Sequence, residues 1–146
     1  MSGRGEGVET VHASCVAILG RAVLIAGRSG AGKSDLALRL IDRGARLVSD
    51  DYIEIRAGGG RAFASAPATI RGQIEVRGIG LVAFDSVQDV PVALLVDLDG
   101  GPARLPEALE SRLLAGVAIP VCPLVGLEPS APLKLELALR RFGLPL

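Results

Sequence analysis

The chain has 146 residues, 49% of them apolar, and only four are aromatic: Tyr52, Phe63, Phe84 and Phe142. That length supports one domain with an aliphatic core, favours a sheet of Leu, Val, Ile and Ala strands covered by helices, and leaves few aromatic rings for stacking single-stranded nucleic acid. Sixteen Lys and Arg balance sixteen Asp and Glu, so no net field draws the chain to DNA or to an anionic membrane.

MSGRGEGVET, residues 1–10, lacks the apolar stretch of a signal peptide and is expected to be a flexible polar tail. Residues 11–146 then read as a single domain with no repeat, linker or low-complexity tract. No apolar run reaches the ~18 residues of a membrane-spanning helix, so a soluble, cytoplasmic protein without nucleic-acid or membrane partners is expected. Cys15 and Cys122 sit in apolar runs without metal-ligand spacing and are expected to be buried thiols.

His12, the single histidine, stands directly before the first strand. Residues 13–20 and 22–27 are apolar runs split by Gly20 and Arg21, which predicts two strands joined by a tight turn. A helix is expected over 33–43, with Leu36, Ala37, Leu40 and Ile41 at helical spacing and Gly44 as its stop. Residues 45–49 predict a third strand running into Asp50 and Asp51, and a hairpin is expected across Gly58, Gly59 and Gly60. PVALLVDL (91–98) reads as a buried strand. Residues 100–114 suggest a loop and a short amphipathic helix, and GVAIPVCPL (116–124) a last strand. The closing helix is expected to turn Leu133, Leu137 and Phe142 inward and Lys134, Glu136, Arg140 and Arg141 outward.

The chemistry concentrates in GRSGAGKS: Gly27, Arg28, Ser29, Gly30, Ala31, Gly32, Lys33 and Ser34. This is a phosphate-binding loop placed where it must be, after an apolar strand and at the start of a helix. Its glycines let successive main-chain N–H groups point at a phosphate, helped by the positive end of the helix. Lys33 would reach the β- and γ-phosphates of a nucleoside triphosphate, and the Ser34 hydroxyl a magnesium ion. Two pairs of carboxylates could complete the magnesium site, Asp50 with Asp51 and Asp97 with Asp99, although Asp99-Gly100-Gly101 is itself turn chemistry. In the first pair one group would serve the metal and the other a hydroxyl acceptor as base. IEVRG (74–78) would set Glu75 and Arg77 on one side of an extended strand, which fits an exposed strand pair or, functionally, a second magnesium contact with charge stabilisation of a transferring phosphoryl group.

Taken together, His12, GRSGAGKS, LALRLIDRGARLVSDDYIEI and IEVRGIGLV resemble the catalytic domain of HPr kinase/phosphorylase, in the short form of some alpha-proteobacteria whose chain begins near the catalytic core. The likeness covers about half the chain well and weakens after Asp85. It implies a single α/β P-loop kinase domain with a mixed sheet and flanking helices, of the phosphoenolpyruvate-carboxykinase-like type. It implies ATP and Mg2+ as cofactors, a serine of an HPr-like phosphocarrier as acceptor, and a homo-oligomer, by family a hexamer. It further implies that Lys33 binds the triphosphate and that Ser34, Asp50 and Glu75 hold the metal. Asp50 and Asp51 would supply the base, Asp51 being favoured, and His12, Arg77 and Arg104 would belong to the catalytic apparatus. The family's basic phosphorylase segment should fall near 121–132, where VCPLVGLEPSAP has no Lys or Arg. Holding inorganic phosphate against a phosphoserine needs cations, so a kinase with weak or absent phosphorylase activity is expected. Two other readings stay open, a small-molecule P-loop kinase and a nucleotide-binding regulator that transfers nothing.

Overall fold

The computed structural model describes residues 7–102 and 106–146. Arg104 lies outside them. Residues 8–10, expected in the polar tail, belong instead to β1 (Val8–Val11), an edge strand paired antiparallel with β5 (Ile53–Gly58). Its side chains are mostly exposed, and main-chain pairing holds it in place.

β2 (Ala13–Ile18) and β3 (Arg21–Ala26) form a hairpin whose two linking residues, Leu19 and Gly20, have φ of 50° and 83°. Positive φ at both positions matches the twist of the flanking strands. The same link, Gly59–Gly60, joins β5 to β6 (Arg61–Ser65), and Ala115–Gly116 joins β10 (Glu110–Leu114) to β11 (Val117–Pro123). After β3 come α1 (Lys33–Asp42) and β4 (Arg46–Ser49); β9 spans Val90–Asp97, and α2 (Ala131–Phe142) follows β11.

Nine strands make one mixed sheet in the order β1-β5-β6-β9-β3-β2-β4, with β11 also bonded to β9 and β10 to β11. β2 runs antiparallel to both β3 and β4, while β9 runs parallel to β3. The ends of β3, β4 and β9 and the start of β2 therefore leave the sheet along one edge. That edge carries the loop after Ala26, the aspartates after Ser49, the Asp97–Asp99 segment and His12.

Both helices cover one face. Leu36, Ala37 and Leu40 of α1 and Ala131, Leu135, Ala138 and Leu139 of α2 pack on Val16, Val23, Ile25, Leu94 and Val96. On the opposite face the sheet curls over itself, burying Cys15, Leu24 and Leu95 against Ile53, Ile55, Ala64, Leu114 and Ile119. This is the mixed sheet with flanking helices that was expected. Among the described residues no helix is long and apolar enough to cross a membrane.

Two expectations fail. Residues 110–114, assigned to a short amphipathic helix, are β10, because the Ala115–Gly116 turn folds them back onto β11. In α2 the inward stripe is Ala131, Leu135, Ala138 and Leu139, whereas Leu133 and Leu137 are 47% and 55% exposed. Both stripes have helical spacing, and close approach to the sheet selects the one with alanines. Phe142 does pack against the core.

Cys15 is fully buried and Cys122 partly so; burial pushes both thiols up, Cys15 far more. A thiol reagent should accordingly label Cys122 slowly in the native protein and Cys15 only on unfolding, as mass spectrometry of time-quenched samples would read. Leu94→Ala, at a side chain with no exposed surface, should cost about 3 kcal/mol in urea denaturation.

Candidate active site

The loop after β3 turns through Gly30 and Gly32, with φ of 84° and 96°, before α1 begins at Lys33. Gly32 caps the helix from the left-handed region and accepts the Leu36 N–H at 2.9 Å. Lys33 is buried, and its Nζ donates to the carbonyls of Gly27 at 2.8 Å and Arg28 at 3.1 Å, so the ammonium lies inside the curl of its own loop.

Ser34 opens the first turn of α1, and its Oγ donates to Asp50 Oδ1 at 2.7 Å. Asp50 is only 7% exposed, and none of the ion pairs among the described residues reaches it. An ionised carboxylate held that deep without a cation is costly unless hydrogen bonds or a metal compensate. Asp51 takes the opposite course. Its backbone is left-handed, φ 73°, and its side chain, 62% exposed, lies 2.9 Å from His12 Nε2. The His12 ring in turn lies 5.0 Å from that of Tyr52. Adjacent aspartates thus occupy two environments, one inward at the loop serine and one outward at the histidine.

Of the second pair, Asp99 binds the loop, and neither Asp97 nor Asp99 bonds Ser34 among the described residues. Asp99 accepts the Arg28 N–H at 3.0 Å through Oδ2 and its guanidinium at 3.3 Å through Oδ1, while Asp97 Oδ1 accepts the Asp99 N–H at 2.9 Å. The carboxylate is charge-matched to the loop's basic residue, so it stiffens the loop's first turn.

Glu75 and Arg77 belong to a separate ribbon of β7 (Gln73–Val76) and β8 (Gly80–Ala83), anchored by buried Ile74. Both are exposed, with no hydrogen bond or ion pair to Ser34, Asp50, Asp51 or His12 among the described residues. Nor do three His, Cys, Asp or Glu side chains gather into a metal cluster there. The donor set present, one hydroxyl and one buried carboxylate, fits a magnesium ion that keeps its waters and takes phosphate oxygens, since this ion is seldom caged by protein alone.

Three contributors escaped the sequence reading. Ser14, in β2, donates to Asp50 Oδ1 at 2.8 Å; a lone serine in an apolar strand gives no signal by itself. Leu127 lies against Gly32, where an added Cβ would stand 2.6 Å from Leu127 Cδ2. Arg39 holds that segment, its Nη1 donating to the Glu128 carbonyl at 2.9 Å and its Nη2 to the Gly126 carbonyl. The stretch without Lys or Arg is therefore part of the loop's wall.

Residues 7–89, more than half of the chain, match the family described as HPr Serine kinase C-terminal domain. The chain belongs to that family. Among named HPr kinase/phosphorylases, the one from Caldanaerobacter subterraneus subsp. tengcongensis is 50% identical over 82 residues, covering 56% of this chain and 27% of that protein. The one from Exiguobacterium sp. is 51% identical over 73 residues, covering 49% and 24%. The chain thus spans about a quarter of the length of the curated relatives it matches. The solved Hpr(Ser) kinase/phosphatase from Coxiella burnetii superposes with a TM-score of 0.78 at 30% identity, covering 90% of this chain and 88% of that one. The likeness in fold accordingly reaches beyond the residues that the family match covers.

Gly32→Ala should lose about 2 kcal/mol in denaturant unfolding, chiefly from left-handed strain, because the Leu127 side-chain end it meets is exposed and can turn aside. In a Leu127→Ala background the glycine substitution should therefore cost nearly as much, which places the loss in the backbone of the loop.

Proposed function

We propose that the chain is an ATP- and magnesium-dependent protein serine kinase acting on an HPr-type phosphocarrier in the cytoplasm. The observation that carries this reading is the division of the aspartate pair: Asp50 at Ser34, 2.7 Å away, and Asp51 at His12, 2.9 Å away. The family membership and the names of the relatives point to the same activity.

In this reading the loop amides and Lys33 cradle the triphosphate, Lys33 exchanging its loop carbonyls for phosphate oxygens. Ser34 and Asp50 are the residues that would hold magnesium, which when bound neutralises charge on the β- and γ-phosphates. Asp51 accepts the proton of the acceptor serine, with His12 orienting the carboxylate. Glu75 is assigned as a further metal ligand and Arg77 and Arg104 as charge partners of the transferring group. A ring-like homo-oligomer, a hexamer by family resemblance, is the assembly assigned. Placed against Gly32, the segment around Leu127 offers apolar surface where a phosphorylase would need cations to hold inorganic phosphate, so transfer runs mainly in the kinase direction.

The test is transfer of label from ATP to a purified phosphocarrier. Asp51→Asn should lower turnover by at least a hundredfold, in line with the worth of a general base, while nucleotide affinity stays within about threefold. Asp50→Asn should raise the magnesium concentration needed for half-maximal activity. Turnover surviving in Asp51→Asn would remove that residue as the base. Labelling of a metabolite instead of the carrier, or nucleotide binding with no transfer at all, would replace the reading with one of its two rivals.

A further inference from the structure

Ser14 has no exposed surface, and the residues around it in β2 (Ala13, Cys15, Val16 and Ala17) are buried and apolar. Alternation along the strand puts it on the face of Val16, which is covered by the helices. Packing alone would accept alanine or valine there, and a buried hydroxyl is tolerable only with partners. Both of its partners are aspartate groups. Its hydroxyl donates to Asp50 Oδ1 at 2.8 Å, and its oxygen accepts the Asp51 main-chain N–H at 3.5 Å.

Asp50 Oδ1 therefore receives two hydroxyl donors, Ser14 from β2 and Ser34 from α1. Two donors from separate elements fix a carboxylate's rotation where one would leave it free to swing. The contact to the Asp51 amide falls where the backbone is left-handed, the bend that sends Asp51 outward to His12.

We propose that Ser14 is a positioning residue of the phosphoryl-transfer site, aiming Asp50 at Ser34 and steadying the bend that sets Asp51 beside His12. The inference rests on the kinase reading above. It assigns Ser14 no contact with nucleotide or acceptor; the residue acts through the aspartates.

Calorimetric titration with a non-hydrolysable ATP analogue, in magnesium and separately in EDTA, tests it on the 146-residue chain. In Ser14→Ala, affinity in EDTA should stay within about twofold of the parent. The gain conferred by magnesium should shrink about tenfold, the scale of one buried hydrogen bond to a carboxylate. Ser14→Thr, which restores the hydroxyl, should recover most of that gain. Should circular dichroism show Ser14→Ala unfolded, Ser14→Cys, with its weak donor, carries the same comparison and should show a smaller magnesium-specific loss. Equal losses in magnesium and EDTA would mark a merely structural serine and overturn the proposal, as would no loss in either. Failure of the unsubstituted chain to bind the analogue in either medium would instead sink the kinase reading beneath it.

Discussion

The direction of three strands governs this molecule. β3, β4 and β9 all run toward the same edge of the sheet, and β2 starts there because it is antiparallel to its two neighbours. Segments from four separate places in sequence consequently emerge side by side. Sheet hydrogen bonding, rather than any attraction among the polar groups, brings a glycine-rich loop, two aspartates, a histidine and a loop-bracing carboxylate together. Ligand sites at the carboxyl ends of strands are a general outcome of such sheets.

Within that frame the two neighbouring aspartates are separated by burial and backbone geometry. Asp50 continues inward from a buried strand and meets two hydroxyls, while the left-handed residue after it faces solvent and an imidazole. The two hydroxyl donors satisfy this buried carboxylate without committing it to a cation of the protein. An arginine or lysine in the place of Ser14 would compete with any metal for the same oxygen. Lys33 avoids that competition by binding its own loop's carbonyls.

Much of this was legible beforehand because local chemistry dictates it. The spacing of Gly27, Gly32, Lys33 and Ser34 specifies a loop before a helix, and the aliphatic runs at 13–27 and 91–98 have no stable place outside a sheet core. The aspartates at a strand end and the histidine before another were readable as candidates for the same reason. What escaped depends on contacts between distant segments. The α2 stripe could not be chosen between two helical spacings without knowing how near the sheet lies. Residues 110–114 carry an ambiguous pattern that only pairing with β11 resolves. Ser14 and Leu127 are ordinary in sequence and become informative through what they touch, while the IEVRG motif was visible but its spatial relation to Asp50 was not.

β9 has a consequence beyond the chemistry. It lies between β3 and β6 and also carries β11, and it begins at Val90, one residue after the family match stops. The matched stretch thus lacks the central strand of its own sheet: excised at that boundary, it would leave β3 and β6 each without the main-chain partner that β9 supplies, and the β1-β5-β6 flap would be held to β2 and β3 by side-chain packing alone. The segment beyond the family match therefore joins the two halves of the sheet that the match contains.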